Sequence, residues 1–111
     1  MTSHDPVQLQ VDAYNAHDVE AFLGCYGDDA VIRHGDGRVL MGDKDTMRAA
    51  YTQLFAENPD LRAEIPNRLE VGPWVVDEEV VTAGGREMHA LVAYEVRDGL
   101  IHTAVMLSPD L

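Results

Sequence analysis

Hydrophobic and polar positions alternate between residues 61 and 107 in a way that predicts four β-strands, arranged as two hairpins. The first hairpin joins residues 61–71 to residues 74–82 through a turn at Gly72 and Pro73, since proline has no N–H for a sheet ladder. The second hairpin joins residues 88–96 to residues 100–107 through Arg97, Asp98 and Gly99.

In the first hairpin, a two-residue turn fixes which residues lie opposite one another. On one face the predicted pairs are Val71–Trp74, Leu69–Val76, Asn67–Glu78 and Ile65–Val80. The other face pairs Arg68 with Asp77 and Arg62 with Ala83. We expect the first face to point inward, because it is apolar except for Asn67 and Glu78. That polar pair on an apolar face is a first candidate for a functional site.

The second hairpin is apolar on both of its faces. One face carries the predicted pairs Val96–Leu100, Tyr94–His102, Val92–Ala104 and Ala90–Met106. The other face carries Leu91, Ala93, Ile101, Thr103, Val105 and Leu107. A sheet that is apolar on both faces must be covered on both. Because the helices of so short a chain cover only one face, we expect the other to form a homodimer.

The first 60 residues predict three helices and two short strands. Asp5 with Pro6 is typical of a helix start, Asp18 of the cap of a second helix, and Asp43 of the cap of a third that runs to about Glu57. The element order is α-α-β-β-α-β-β-β-β, which predicts one α+β domain over residues 1–111. Its three helices pack on the concave face of a strongly curved, mainly antiparallel sheet.

Composition narrows the classes of function. The formal charge of −12 leaves no basic patch for nucleic acid. Cys25 is the only cysteine, and neither a signal peptide nor a membrane-spanning apolar run is recognisable, so we expect a cytoplasmic protein that does not bind membranes. The five histidines show neither HExxH nor HxH spacing, and no glycine-rich phosphate loop is present. We therefore expect no metal and no cofactor.

Four sequence segments carry a family resemblance. They are Tyr-Asn-Ala-His-Asp at 14–18, Tyr-Gly-Asp-Asp-Ala at 26–30, Gly-Asp at 42–43 and Tyr-Glu-Val-Arg-Asp-Gly at 94–99. With the element order, they make the chain similar to the nuclear transport factor 2-like superfamily, and in particular to its small bacterial SnoaL-like and steroid delta-isomerase-like members. The resemblance implies a cone-shaped, cystatin-like fold with a pocket between the first helix, the third helix and the sheet. It also implies a homodimer through the outer sheet face.

The resemblance transfers ketosteroid isomerase chemistry only in part. The position that matches the isomerase's general base is His34. Gln10 matches the oxyanion-hole tyrosine, Val92 lies near the position of its protonated aspartate, and Tyr51 matches an auxiliary tyrosine. A dienolate needs two strong donors at its oxygen, which Gln10 and Val92 do not supply. Steroid isomerisation is therefore not expected.

The candidate site combines these positions with the inward face of the hairpins. His34 and Glu78 are the candidate catalytic residues, as pocket bases. The candidate ligand-binding residues are Gln10, Tyr14, Tyr51, Asn67, Trp74, Val92, Tyr94, His102 and Met106. Each also has a structural interpretation: His34 as the end of a surface strand, Glu78 as a carboxylate held by Asn67 or Arg68, and the aromatic residues as core.

Three functions remain open at this point. The first is a pocket for a small apolar organic molecule in which a base drives cofactor-free isomerisation, dehydration or cyclisation. The second is a binding protein for such a molecule without catalysis. The third is a dimerisation module whose cavity is filled by its own side chains.

Overall fold

A computed structural model describes residues 5–109 and contains the predicted elements in the predicted order. The helices are α1 (Asp5–Asn15), α2 (Val19–Leu23) and α3 (Lys44–Glu57). The strands are β1 (Tyr26–His34), β2 (Val39–Met41), β3 (Arg62–Val71), β4 (Trp74–Ala83), β5 (Arg86–Arg97) and β6 (Leu100–Leu107). The α+β prediction is confirmed.

The strands form one curved, unclosed sheet in the order β2-β1-β6-β5-β4-β3. Strands β1 and β6 run parallel, and the other neighbours are antiparallel. Two helix starts follow from local chemistry. The Asp18 carboxylate accepts from the Ala21 N–H at 3.1 Å, and the Asp43 carboxylate accepts from the Thr46 N–H at 2.7 Å, as the sequence predicts.

The last residue of α1 and the segment after it bind the helices to the edge of the sheet. The Asn15 side chain donates to the carbonyl oxygen of Ala63 at 2.9 Å and accepts from the N–H of Ala63 at 2.7 Å, as a neighbouring strand would. The ring of His17 stacks on Phe55, and its Nε2 donates to the carbonyl oxygen of Leu61 at 2.8 Å. This part of the 14–18 segment therefore has a structural role.

The register of the first hairpin is confirmed near its turn and wrong farther away. The observed pairs include Val71–Trp74, Leu69–Val76, Asn67–Glu78 and Arg68–Asp77. A bulge at Ile65 and Pro66 then shifts the pairing, because Pro66 has no N–H to donate to the ladder. Glu64 lies opposite Val80, and Arg62 lies opposite Thr82, so the predicted pairs Ile65–Val80 and Arg62–Ala83 are wrong.

The two faces of this hairpin are the reverse of the prediction. Val75 and Asp77 are fully buried, whereas Leu69 and Val71 are 70% and 77% exposed. We call the face that carries Val75, Asp77 and Glu79 the inner face, and the face that carries Leu69, Val76 and Glu78 the outer face. The more apolar side of the hairpin is thus the outer one, because the inner face holds the Arg68–Asp77 ion pair beneath α1.

The second hairpin has a tighter turn than predicted. Asp98 and Gly99 form a two-residue turn with φ of 54° and 76°, and Arg97 lies opposite Leu100. A bulge at Glu95 and Val96 shifts the remaining pairs. The predicted register is therefore wrong, and the observed pairs are Val96–Ile101, Tyr94–Ala104, Val92–Met106 and Leu91–Leu107.

Ile101 belongs to the core and not to the outer face. Its side chain is fully buried within the described chain, and its N–H donates to the carbonyl oxygen of Cys25. Leu91 and Leu107, in contrast, lie opposite each other on the outer face and are 45% and 42% exposed. The predicted outer surface therefore keeps its other members and loses Ile101.

Candidate functional site

A cavity of about 640 Å³ lies between the inner face of the sheet and helices α1 and α3. Its wall is mostly apolar, with Val11, Phe22, Ile32, Leu54, Val92 and Met106 among the lining side chains. Four tyrosines also line it, namely Tyr14, Tyr26, Tyr51 and Tyr94. The cavity is open, so the interpretation of a cavity filled by its own side chains does not describe this structure.

Glu79 on β4 is the carboxylic acid whose environment is most unusual. It lies on the cavity wall, and no residue between 5 and 109 hydrogen-bonds its carboxyl group. Burial, and next the nearby negative charge of Asp77, raise the pKa of Glu79 to about 7. The group can therefore hold or release a proton near neutral pH.

Asp77, two residues earlier on the same face, is in the opposite situation. The Arg68 guanidinium donates to both of its carboxylate oxygens, with Nε–Oδ1 at 2.6 Å and Nη2–Oδ2 at 2.9 Å. Arg68 also donates to the Gln8 side chain on α1 at 2.9 Å, and the carboxylate raises the pKa of Arg68 in turn. Asp77 has a counterion and Glu79 has none, which separates the roles that the two acids can play.

Gln10 on α1 links two of the cavity tyrosines. The Tyr26 hydroxyl donates to Gln10 Oε1 at 3.3 Å, and Gln10 Nε2 donates to the Tyr94 hydroxyl oxygen at 3.1 Å. The O–H of Tyr94 finds no acceptor among the residues the structure describes. Tyr94 is thus held by an amide through its oxygen while its own hydrogen stays available to a ligand.

The remaining tyrosines stand on an aromatic cluster. Tyr14 meets Phe55 edge to face at 5.4 Å between ring centres, and Tyr51 packs against Phe22 at 4.4 Å. Burial raises the pKa of all four cavity tyrosines, and the charge of Glu79 adds to this effect. They are therefore neutral hydrogen-bond donors at physiological pH.

The structure divides the sequence-predicted site residues into two groups. Six of them line the cavity: Gln10, Tyr14, Tyr51, Val92, Tyr94 and Met106. The other five do not line it: His34, Asn67, Trp74, Glu78 and His102. Glu79, Tyr26 and Arg86 also line the cavity and were not predicted. Glu79 was missed because the faces of β4 had been interchanged.

Glu78 and Asn67 lie on the outer face, so their predicted inward placement is wrong. Asn67 Nδ2 donates to one carboxylate oxygen of Glu78 at 2.6 Å, and His89 Nε2 lies 2.6 Å from the other. These hydrogen bonds, that from Asn67 first, lower the pKa of Glu78. The pair borders an open groove on the outer face, together with Leu69 and Leu91.

The two histidines predicted for the site, His34 and His102, lie outside the cavity wall and contact other residues. His34 ends β1; its Nδ1 lies 3.1 Å from the backbone nitrogen of Asp36 and 3.2 Å from the carboxylate of Asp36, and its buried Nε2 has no partner in the described chain. His102 lies over Gly27, with Nδ1 3.1 Å from the Asp29 carboxylate. Trp74 lies on the outer face and is 46% exposed. Catalysis by His34 stays a prediction.

The chain belongs to the SnoaL-like domain family, whose model matches residues 7–103. The family lies within the nuclear transport factor 2-like superfamily, which confirms the resemblance read from the sequence. No curated protein gives a significant match to the chain.

Solved structures share the fold at low sequence identity. An uncharacterised cystatin-fold protein from Novosphingobium aromaticivorans is 24% identical, with a TM-score of 0.90 over 96% of this chain and 98% of the other. IdmH from Streptomyces antibioticus, a proposed polyketide cyclase, is 21% identical, with a TM-score of 0.82 over 99% and 94%. A proposed ketosteroid isomerase from Kribbella flavida is 22% identical, with a TM-score of 0.77 over 98% and 78%. At this identity the likeness establishes the fold.

The described residues contain neither a helix that could span a membrane nor a cluster of metal-binding side chains. No helix within residues 5–109 is long and apolar enough to cross a membrane. The same residues contain no cluster of three histidine, cysteine or acidic side chains that could hold a metal ion. Together, the family, the fold and the cavity support a small-molecule pocket protein.

Proposed function

We propose that the protein is a cofactor-free proton-transfer enzyme acting on a small, mostly apolar carbonyl compound. Glu79 is the general base and acid, and Tyr94 is the hydrogen-bond donor to the carbonyl oxygen. The observation that carries the proposal is the carboxyl group of Glu79, which lies on the wall of an apolar cavity without a hydrogen-bond partner among the described residues, and whose pKa is raised to about 7 by burial.

Each step uses a group whose state is set by its surroundings. The Glu79 carboxylate removes a proton from the carbon next to the carbonyl group, and the negative charge moves to the carbonyl oxygen. Tyr94 donates to that oxygen, while Gln10 holds the phenol in place through its Nε2 at 3.1 Å. Where a double bond is conjugated with the enolate, Glu79 returns the proton to the far carbon of that double bond, which completes an isomerisation. Loss of a β-hydroxyl, which takes the proton from Glu79 and leaves as water, gives a dehydration. Attack of the enolate carbon on an internal carbonyl carbon, whose oxygen takes the proton from Glu79, gives a cyclisation.

Family membership supports this class of chemistry. The chain belongs to the SnoaL-like family, and similar structures include a proposed polyketide cyclase and a proposed ketosteroid isomerase. The rival function is binding without catalysis. It is favoured by the apolar wall, since such a wall recognises a ligand by shape alone.

The test is elimination from 5-nitrobenzisoxazole, which needs only a base in a dry, accessible cavity. The base removes the ring C–H proton and the N–O bond breaks, releasing a coloured phenolate. We expect the rate to rise with pH through an apparent pKa of about 7 and to fall by a factor of ~10²–10⁴ in Glu79→Gln.

The controls separate Glu79 from the two bases predicted from sequence. Glu78→Gln removes a neighbouring carboxylate that faces outward, and His34→Ala removes the histidine at the end of β1; we expect both to keep the native rate within twofold. Turnover that survives Glu79→Gln, or that is lost in His34→Ala with the fold intact, would contradict the proposal. No turnover in any variant would favour the binding function.

We also propose that the outer face of the sheet binds a second copy of the chain. Leu69, Leu91 and Leu107 expose large apolar side chains on this face. Ala93, Val76 and Val105 lie side by side across three strands between them. So much exposed apolar surface in a small domain is typical of an interface.

A further inference from the structure

The exposed end of the cavity wall carries a positive charge that no other residue between 5 and 109 pairs. Arg86 is the first residue of β5 and lies opposite Ala83 on the inner side of the sheet, where both residues line the cavity. It is exposed to solvent, and among residues 5–109 it is the only lysine or arginine on the cavity wall.

The lack of a partner sets Arg86 apart from the other basic residues. The chain has eight lysines and arginines against 20 acidic residues. Seven of the eight contact a described carboxylate or carbonyl oxygen: Arg33, Arg38, Lys44, Arg48, Arg62, Arg68 and Arg97. Arg86 has no such contact within the described chain. Glu87, the next residue, lines both the cavity and the outer groove, but its carboxylate makes no hydrogen bond or ion pair with Arg86.

A tight turn and a hydrogen bond hold the backbone that precedes Arg86. Gly84 and Gly85 form the two-residue turn before it, with φ of 58° and 76°. The N–H of Gly84 donates to the Asp60 carboxylate at 2.8 Å, which ties this end of the sheet to the segment between α3 and β3. The backbone at Arg86 is therefore held at the exposed end of the cavity wall, from which a planar fork of donors suits a carboxylate.

The sheet sets the distance between this cation and the proposed base. Glu79 lies opposite Ala90, and Arg86 is four residues from Ala90 along β5. At the rise of a strand this separates the two rows by roughly 13 Å. The wall between them is apolar and includes Val81 and Met88.

We propose that the substrate is an elongated apolar molecule with a carboxylate at one end, which Arg86 binds at the entrance. The other end then carries the carbonyl group that reaches Glu79 and Tyr94. This inference rests on the proposed function for the role of the inner end, but the recognition of the carboxylate by Arg86 is independent of catalysis.

The test uses a matched pair of fluorescent probes, 11-(dansylamino)undecanoate and its methyl ester. Binding is measured at pH 6, where Glu79 holds its proton and the probe acid is ionised, so that Arg86 decides the difference. We expect the native protein to bind the acid at least tenfold more tightly than the ester, and 0.5 M NaCl to weaken only the acid. In Arg86→Gln the preference for the acid should disappear while the affinity for the ester stays unchanged.

The control is Arg97→Gln at the far end of the same strand, which should keep the native preference. Equal binding of acid and ester by the native protein would overturn the inference, and so would an acid preference that survives Arg86→Gln, or binding of neither probe. Glu79→Gln separates this result from the proposed function. If that variant keeps the acid preference but loses benzisoxazole turnover, both proposals stand; if acid and ester bind equally while turnover depends on Glu79, only the carboxylate recognition fails.

Discussion

Glu78 and Glu79 are neighbours on one strand, and their surroundings give them opposite properties. On the outer face, Asn67 and His89 hold both oxygens of Glu78 at 2.6 Å, and the pKa of this group is lowered. On the inner face, Glu79 has no described hydrogen-bond partner, and burial raises its pKa to about 7. Two identical side chains thus differ because a strand turns successive residues to opposite faces.

Two acidic residues on the inner face of β4 also differ in their surroundings. Asp77 and Glu79 share the same side of β4, yet Arg68 neutralises only Asp77. Since the cation is already paired with Asp77, Glu79 meets the cost of burial and, in addition, the negative charge of Asp77. The Arg68–Asp77 pair therefore also contributes to the protonation of Glu79.

The largest effect on stability is expected from Arg68→Met, which removes the difference in pairing between Asp77 and Glu79. It leaves the buried Asp77 carboxylate without its counterion, which should lower the free energy of unfolding by about 3–5 kcal/mol. Urea unfolding of the native protein and the variant measures this loss. Arg97→Met, which removes an exposed arginine, should change the stability by only ~0.5 kcal/mol. Equal losses in the two variants would show that the buried pair is not special.

The next effect concerns the pH dependence of stability through Glu79. Its pKa in the folded protein lies above the ordinary value of 4.5, so its contribution is complete at low pH and is lost as the pH rises from about 4.5 through about 7. Glu79→Gln should therefore be more stable than the native protein at pH 8, by on the order of 3 kcal/mol, with a much smaller difference at pH 4. Urea unfolding at the two pH values gives the result.

Glu78→Gln is the matched control for this series. The pKa of Glu78 is lowered, so its contribution is present above the ordinary value and is lost only as the pH falls below it. This variant should not gain stability at pH 8. A gain there as large as that of Glu79→Gln would remove the distinction between the two faces.

The smallest effect concerns the outer face as an interface. We expect the native protein to sediment as a dimer, and Leu91→Glu to weaken the dimer at least tenfold, because it places a charge in the middle of the apolar surface. Leu9→Glu on α1 changes a leucine that is 59% exposed and should leave the dimer unchanged. A monomeric native protein, or a Leu91→Glu dimer of native strength, would reject this interface.

The sequence could predict features that depend on local chemistry. Helix caps such as Asp43 and the turn at Gly72 and Pro73 act within a few residues, and the order of elements followed from them. The Arg68–Asp77 pair was also predicted, since it depends only on the register near a tight turn. The family resemblance predicted the position of three residues that line the cavity, namely Gln10, Tyr51 and Val92.

The orientation of the first hairpin could not be read in the same way. The higher hydrophobicity of the face with Leu69, Val71 and Trp74 predicted that this face points inward. These side chains lie on the outer face, where the exposed apolar surface suits a partner. The bulge at Ile65 and Pro66 follows from the missing N–H of Pro66, which the predicted register did not take into account, whereas the bulge at Glu95 and Val96 has no proline to mark it. Because the face was reversed, Glu78 was chosen in place of Glu79. The predicted Arg68–Asp77 ion pair was the signal that could have pointed to Glu79. Glu79 follows Asp77 by two residues and therefore lies on the same face of the strand.

The most direct test of the account is a titration of the glutamate side-chain carboxyl carbons by ¹³C NMR, with Glu79→Gln and Glu78→Gln used to identify the two signals. The account predicts that Glu79 titrates near pH 7 and Glu78 below the ordinary glutamate value of 4.5. Two signals that titrate together near 4.5 would mean that the cavity does not change the acidity of Glu79, and the proposal of a pocket base would fall with it.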